Sequence, residues 1–359
     1  MTRFLHRAII LAGLLGSIPS QSFAADLYFP PTEGEWETVE TADAGFDAER
    51  LEAAASLAES MHSSGLVVLF HGRILLERHW RIEPESDHSS GTYQRMVKGY
   101  TDDGHAIEDV ASVQKSVTSF LAGIAVSADQ LSLDDPVSIY LPEGWSNASA
   151  EEERAITIRH LMTMTSGLTE QLNYKLPPGM EWSYNTGAYS QMVGVLQSIY
   201  SKPIEEISSE RLTKRVGMRN SKWVSRGRPS GSNNVGFTTT ARDLARFGLL
   251  ILGNGKWDGE DLGVSQDYLE TMLSSSQQLN QNYGLLWWLN GRPPNLQPGE
   301  RYRSIPNAPE DVVAALGALG RIVHISRETG LVVVRLGNSA PKEFNMELWG
   351  LLMNAKTAE

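Results

Sequence analysis

Two apolar runs near opposite ends of the chain limit its fold more than any other feature. "GLVVLFHGRILLERHW" (65–80) reads as a strand, a His71-Gly72 turn and a second strand. "DVVAALGALGRIVHISRETGLVVVRLG" (311–337) carries more strand-type runs, with Glu328-Thr329-Gly330 as a turn. A helical pattern precedes the first run ("DAERLEAAASLAESM") and another follows the second ("FNMELWGLLMNAK"). "YGLLWWLNG" adds a further strand-type run before the second hairpin. The middle reads as short helices and loops, one of them ("TARDLARFGLLILGNG") closed by a Gly-Asn-Gly stop. The pattern predicts an α+β fold: an antiparallel sheet built from both chain ends and flanked by helices, with a mostly helical lobe inserted at about 127–280.

The first residues bear on compartment. Arg3 and Arg7 precede an apolar run from Ala8 to Leu15, and Ser22-Phe23-Ala24 forms a small-x-small site. That layout predicts a signal peptide over 1–24, a mature domain over 25–359, and a periplasmic or secreted protein. The apolar run is short of the roughly 20 residues a membrane span needs. Loss of both arginines would take the net charge from −12 to −14. Such acidity argues against nucleic acid or anionic membrane as partner. The absence of cysteine excludes disulfides, thiolate metal sites and a cysteine nucleophile together.

"EDVASVQKSVTSFLAGIAV" (108–126) places Ser112 three residues before Lys115. Val113, Val117, Phe120, Leu121 and Ile124 recur at helical spacing and predict one packed face, with Asp109 as a cap. Residues three apart share a helix face, so the hydroxyl and amine can touch. A serine hydroxyl needs a base, and lysine serves if burial disfavours its ammonium form. Ser339 and Lys342 repeat the spacing, but Pro341 blocks a regular helix there. In "EWSYNTGAYSQMVGVL", Tyr184 stands in a turn before a helix. It would relay a proton, its phenol shifted down from about 10 by the lysine charge, or simply pack at the helix start. In "AALGALGR", Gly317 and Gly320 interrupt a strand, marking either a bulge or close backbone approach that leaves a main-chain N–H for an oxyanion.

Ser112-x-x-Lys115, Tyr184-Asn-Thr186 and Ala315-Leu-Gly317, in that order, resemble the three motifs of the serine β-lactamase and penicillin-binding protein superfamily. The flanks "TIRHLMTMTSGL" and "TTTARDLARFGLLILGNGKWDG" resemble its class C-like branch of carboxylesterases and aminohexanoate-dimer hydrolases. The resemblance implies Ser112 as acylated nucleophile, Lys115 as general base and Tyr184 as second proton-transfer group. It implies the backbone N–H groups of Ser112 and Ala318 as oxyanion hole, and Asn185, Thr186, Ala315 and Gly317 as substrate-binding positions. Two departures stand out. Thr186 replaces an asparagine, a role Asn185 would take by a shift. Ala315 and Leu316 replace the lysine and hydroxyl that hold a substrate carboxylate, a charge-assisted contact worth about 1.5–3 kcal/mol.

The resemblance therefore implies a hydrolase of small-molecule esters or linear amides, needing no cofactor. A penicillin-recognising DD-peptidase or weak β-lactamase is the first alternative. A non-catalytic relative that binds cell-wall fragments or a partner is the second. No G-x-S-x-G, H-E-x-x-H or phosphate-loop motif occurs, and His105, His160 and His324 read as structural, so no metal site is expected. Trp287-Trp288 would line a cleft or fill the core. Arg321 would meet an acidic substrate group or lie on the surface. The oligomeric state is left open.

Overall fold

A computed structural model describes residues 27–227, 234–291 and 305–357; the leader read over 1–24 lies outside the described residues. Helix α1 (Ala48–Ser60) leads into the hairpin β1 (Ser63–Phe70) and β2 (Arg73–His79). Then come α2 (Gly91–Met96), β3 (Val97–Tyr100), β4 (Ala106–Asp109) and α3 (Val113–Ser127). The middle holds α4 (Ala150–Ala155), α5 (Ile158–Met162), α6 (Thr186–Tyr200), α7 (Ile204–Ser208), α8 (Lys214–Val216), β5 (Lys222–Ser225) and β6 (Val235–Thr239). It continues with α9 (Ala241–Leu252), β7 (Lys256–Trp257), β8 (Glu260–Asp261) and α10 (Gln266–Met272). The chain ends with β9 (Trp288–Leu289), β10 (Val313–Gly317), β11 (Arg321–Ser326), β12 (Leu331–Gly337) and α11 (Phe344–Ala355).

The main sheet is six-stranded, antiparallel and ordered β2-β1-β12-β11-β10-β9, so the two chain ends pair at β1 and β12. Both expected hairpins form, turning at the residues read from the sequence. The central strands β1, β11 and β12 are buried on both faces, and their apolar side chains alternate between two cores. Val67, Leu69, Val323, Val332 and Val334 face the core containing α3 and α9. Leu66, Val68, Ile322, Leu331 and Val333 face the core of α1 and α11. Of "YGLLWWLNG" only Trp288 and Leu289 pair as strand. A second sheet, β3-β4-β6-β5, runs beside the start of α3.

Helix α3 departs from the one-faced expectation: every residue from Val113 to Ala125 is buried. Its polar residues are satisfied internally. Ser116 and Ser119 hydroxyls donate to the carbonyls of Leu286 and Leu285 at 2.8 and 2.6 Å. The Phe237 N–H donates to Gln114 Oε1 at 3.1 Å. Gly123 lets the helix lie against Tyr268, whose ring a Cβ would meet at 2.5 Å. The helix is thus a central post, with its start opening where the two sheets approach.

Candidate active site

Asp109 does not cap α3. Its Oδ1 accepts from the Ala111 N–H at 2.9 Å, and its carboxylate takes two bonds from Arg226, at 2.9 and 2.6 Å. Ala111 is held at φ +51°, a conformation that costs a non-glycine residue energy and persists only when surroundings enforce it. The Asp109–Arg226 pair supplies that enforcement and turns the chain sharply into Ser112. Ser112 occupies the N-cap position, yet its side chain makes no capping bond. Its hydroxyl is therefore left for Lys115, whose Nζ lies 3.1 Å from Ser112 Oγ and 3.1 Å from Thr186 Oγ1.

Lys115 is only 2% exposed. Burial, followed by the positive charge of Arg226, lowers its pKa to about 7, against a smaller opposing effect of Glu170. The amine sits over the rings of Tyr184 and Tyr189, at 4.9 and 4.7 Å from their centroids. A substantial fraction of a lysine in this state is neutral at physiological pH and able to accept a proton.

Tyr184 lies two residues before α6, near enough to the Ser112 side chain for that hydroxyl to act on its pKa. The expected downward shift of its phenol is corrected. Burial raises its pKa, the neighbouring Ser112 hydroxyl works the other way, and Glu170 adds a further rise. Asn185 also needs correction. It is 3% exposed, its Oδ1 caps α6 by accepting from Ala188 N at 2.9 Å, and its Nδ2 donates to Leu168 O at 2.7 Å. Both ends of the amide are used, so Thr186 itself, not a shifted Asn185, faces Lys115.

Sequence reasoning missed Glu170. Its two carboxylate oxygens accept from the N–H groups of Thr186 and Gly187 at 2.8 and 2.9 Å, pinning the start of α6. Gly187 is obligatory there, since a Cβ would fall 2.1 Å from the Glu170 carbonyl. The only sequence signal was an acid in the polar loop before the tyrosine motif.

The third motif ends β10 beside the start of α3. A Cβ on Gly317 would lie 2.4 Å from the Val110 carbonyl, so this glycine marks close backbone approach and not a bulge. Ala318 is exposed at the turn that follows. Ala315 is fully buried in the α3-side core, so its side chain contacts no substrate, a correction to its assignment as a substrate-binding position. Beyond Ala314 the β9 side of β10 carries no strand partner among the described residues. Arg321 is neither on the surface nor available to substrate. It is 0% exposed and pairs with Glu108 at 2.6 Å.

The tryptophan pair divides. Trp287 is core, stacked on Phe247, whereas half-buried Trp288 stacks on Tyr184 at 5.8 Å. Trp182 and Tyr283 complete an aromatic group around Tyr184. His324 accepts from Trp349 Nε1 at 2.9 Å, and His160 accepts from the Thr157 N–H at the start of α5. His105 belongs to a cluster that the sequence did not reveal: ligand-type atoms of Glu77, His79 and His105 lie within 4.8 Å of one another. The two rings are stacked 3.5 Å apart and near-parallel, and Arg242 holds both Glu77 oxygens at 2.9 and 2.7 Å. Parallel rings cannot both aim a nitrogen lone pair at one ion, and the carboxylate is already paired. A cavity of about 970 Å³ opens elsewhere, between α7, α8, β4 and β5, and is lined by none of Ser112, Lys115 or Tyr184.

A serine at a helix start beside a buried lysine, met by a tyrosine from the turn before another helix and by a glycine-ended sheet strand, defines a class. The chain belongs to the β-lactamase family, whose profile matches residues 54–355, and the family is generally hydrolytic. Three solved structures share its fold. A chain from Bacillus anthracis named provisionally as a 6-aminohexanoate-dimer hydrolase is 16% identical, with a TM-score of 0.65, covering 92% of this chain and 89% of its own. A penicillin binding protein from Bacillus halodurans is also 16% identical, with a TM-score of 0.60 and coverages of 83% and 98%. EstCE1, a hydrolase with promiscuous acyltransferase activity, is 15% identical, with a TM-score of 0.60 and coverages of 85% and 98%. At these identities the likeness is one of fold. No helix among the described residues is long and apolar enough to cross a membrane.

Proposed function

We propose that this chain is an exported serine hydrolase that cleaves an ester or a linear amide through an acyl-enzyme on Ser112. The observation that carries the reading is the 3.1 Å contact between Ser112 Oγ and Lys115 Nζ, an amine whose pKa burial lowers to about 7. Export rests on the leader pattern of residues 1–24.

As the Ser112 oxygen bonds to the substrate carbonyl carbon, its proton passes to neutral Lys115. The negative charge forming on the carbonyl oxygen faces the N–H groups of Ser112 and Ala318. Collapse breaks the bond to the alcohol or amine, which leaves with a proton delivered from Lys115 through Tyr184. The raised pKa of Tyr184 keeps it a phenol at neutral pH, so it donates and relays and does not act as a standing phenolate base. Water then attacks the acyl-enzyme, losing a proton to the same groups, and the acid departs as Ser112 regains its hydrogen.

Buried, apolar Ala315 offers no cation to a substrate carboxylate, which supports simple esters and linear amides over penicillins. The names of the Bacillus anthracis protein and of EstCE1 point the same way. Intact-mass spectrometry after a fluorophosphonate probe tests the reading. One adduct on Ser112, abolished by Ser112→Ala and slowed about 10²–10⁴-fold by Lys115→Ala, is expected. No adduct would favour a non-catalytic relative. Nitrocefin turnover rivalling that of nitrophenyl esters would favour a penicillin-recognising enzyme.

A further inference from the structure

The two N–H groups proposed to face the oxyanion sit on chain segments that meet only in the folded protein. One buried ion pair ties those segments together. Glu108, in β4, stands four residues before Ser112; Arg321, opening β11, stands three residues after Ala318. Arg321 Nη2 lies 2.6 Å from Glu108 Oε2 with both side chains 0% exposed, and Arg321 Nη1 donates to the Ala318 carbonyl at 3.1 Å. The other Glu108 oxygen accepts from the Tyr93 hydroxyl at 3.1 Å and from Ser64 Oγ.

A second buried arginine completes the arrangement. Arg335 Nη1 donates to the carbonyls of Leu319 and Gly320 at 2.7 and 3.2 Å. All three carbonyls of the 318–320 turn are therefore held by guanidinium groups. The turn needs holding, since Leu319, a non-glycine residue, is at φ +64°. Exchanging a buried ion pair for apolar residues of similar volume is often neutral or stabilising, so stability alone does not account for this one.

We propose that Glu108 and Arg321 are positioning residues that set the spacing and orientation of the Ser112 and Ala318 N–H groups, and so how well the site fits a tetrahedral transition state. The proposal rests on the Ser112 acyl-enzyme reading. In the native enzyme neither residue touches substrate; each acts through the backbone it anchors.

The test compares wild type, Arg321→Lys and the double variant Glu108→Leu/Arg321→Met, with folding checked by circular dichroism and melting temperature. Nitrophenyl-ester kcat and KM are measured alongside inhibition by an alkyl boronic acid, which forms a tetrahedral adduct on serine. The double variant is expected to lose about 10–100-fold in kcat with KM changed less than about threefold, since a displaced oxyanion donor costs transition-state binding only. Boronate affinity should fall in step with kcat/KM. Arg321→Lys, which keeps the charge opposite Glu108 but cannot span both acceptors, should fall between. Where the double variant does not fold, Arg321→Lys and Tyr93→Phe carry the same comparison. Folded variants with kcat within about threefold of wild type, or with kcat lost but boronate affinity kept, overturn the proposal. Ser112→Ala is assayed beside them. Retained hydrolysis there sinks the acyl-enzyme reading itself, whereas its loss with Arg321 variants unaffected sinks only the positioning role.

Discussion

On the proposed mechanism, Lys115 couples catalysis and stability to pH through one proton. With its folded pKa near 7, the base-competent neutral form grows as pH rises through that value, so ester kcat/KM should climb with a midpoint near 7. Glu170 raises the Lys115 pKa, so Glu170→Gln should move that midpoint to lower pH; a shift upward, or none, would count against this account. Stability runs with the same sign. A lysine depressed from 10.5 to about 7 is a liability below pH 7 that fades as pH approaches 10.5, because the unfolded chain binds the extra proton across that interval. Lys115→Met should therefore stabilise the fold, on the order of 2–4 kcal/mol below pH 7 and progressively less toward pH 10, as read from urea melts at several pH values. The serine–lysine relation was legible in the sequence because it is local: three residues along one helix fix it. Asn185 and Thr186 were not separable that way. Which of two adjacent side chains faces the lysine depends on where α6 begins, and that is set by the Asn185 cap and by Glu170, 16 positions before Thr186.

Element by element, the site is held by close backbone approaches and buried polar ties. Strand β10 meets the start of α3 at Gly317, where a Cβ would stand 2.4 Å from the Val110 carbonyl. Gly317→Ala should force strand and helix apart, lowering the melting temperature and slowing fluorophosphonate labelling of Ser112; unchanged labelling would show that this approach does not shape the site. The break in the strand was visible in "AALGALGR", but close approach and a bulge leave the same mark in one dimension. Arg321 was misjudged for a related reason. Arginine is rarely buried without a partner, and its partner Glu108 is 213 positions away. The sequence reads α3 as a largely buried helix with one apolar packed face; that the burial extends to every side depends on backbone groups of other segments that meet its serines and glutamine.

For the whole molecule, the pairing of β1 with β12 makes the two ends of the chain one structural unit, and α3 and α9 share a core with both that sheet and the helical segments. Among the described residues the helical middle shares one core with the sheet and has no separate one, so thermal unfolding followed by circular dichroism and by tryptophan fluorescence should give coincident transitions. Two separated transitions would show that the lobes are held independently. What the sequence alone determined were the features written at short range: strands from apolar runs, turns from glycine-bearing breaks, a hydroxyl and an amine on one helical face, and the order of three short motifs. Tertiary structure alone decided which groups those features would meet. Folding removes water from Lys115 and lowers its pKa, and it raises the phenol pKa of Tyr184 against the downward shift expected from a charged neighbour. It also sinks Arg321 and Ala315 out of reach of substrate. Desolvation and long-range pairing depend on the positions of atoms far apart in the chain, and no local pattern encodes those distances.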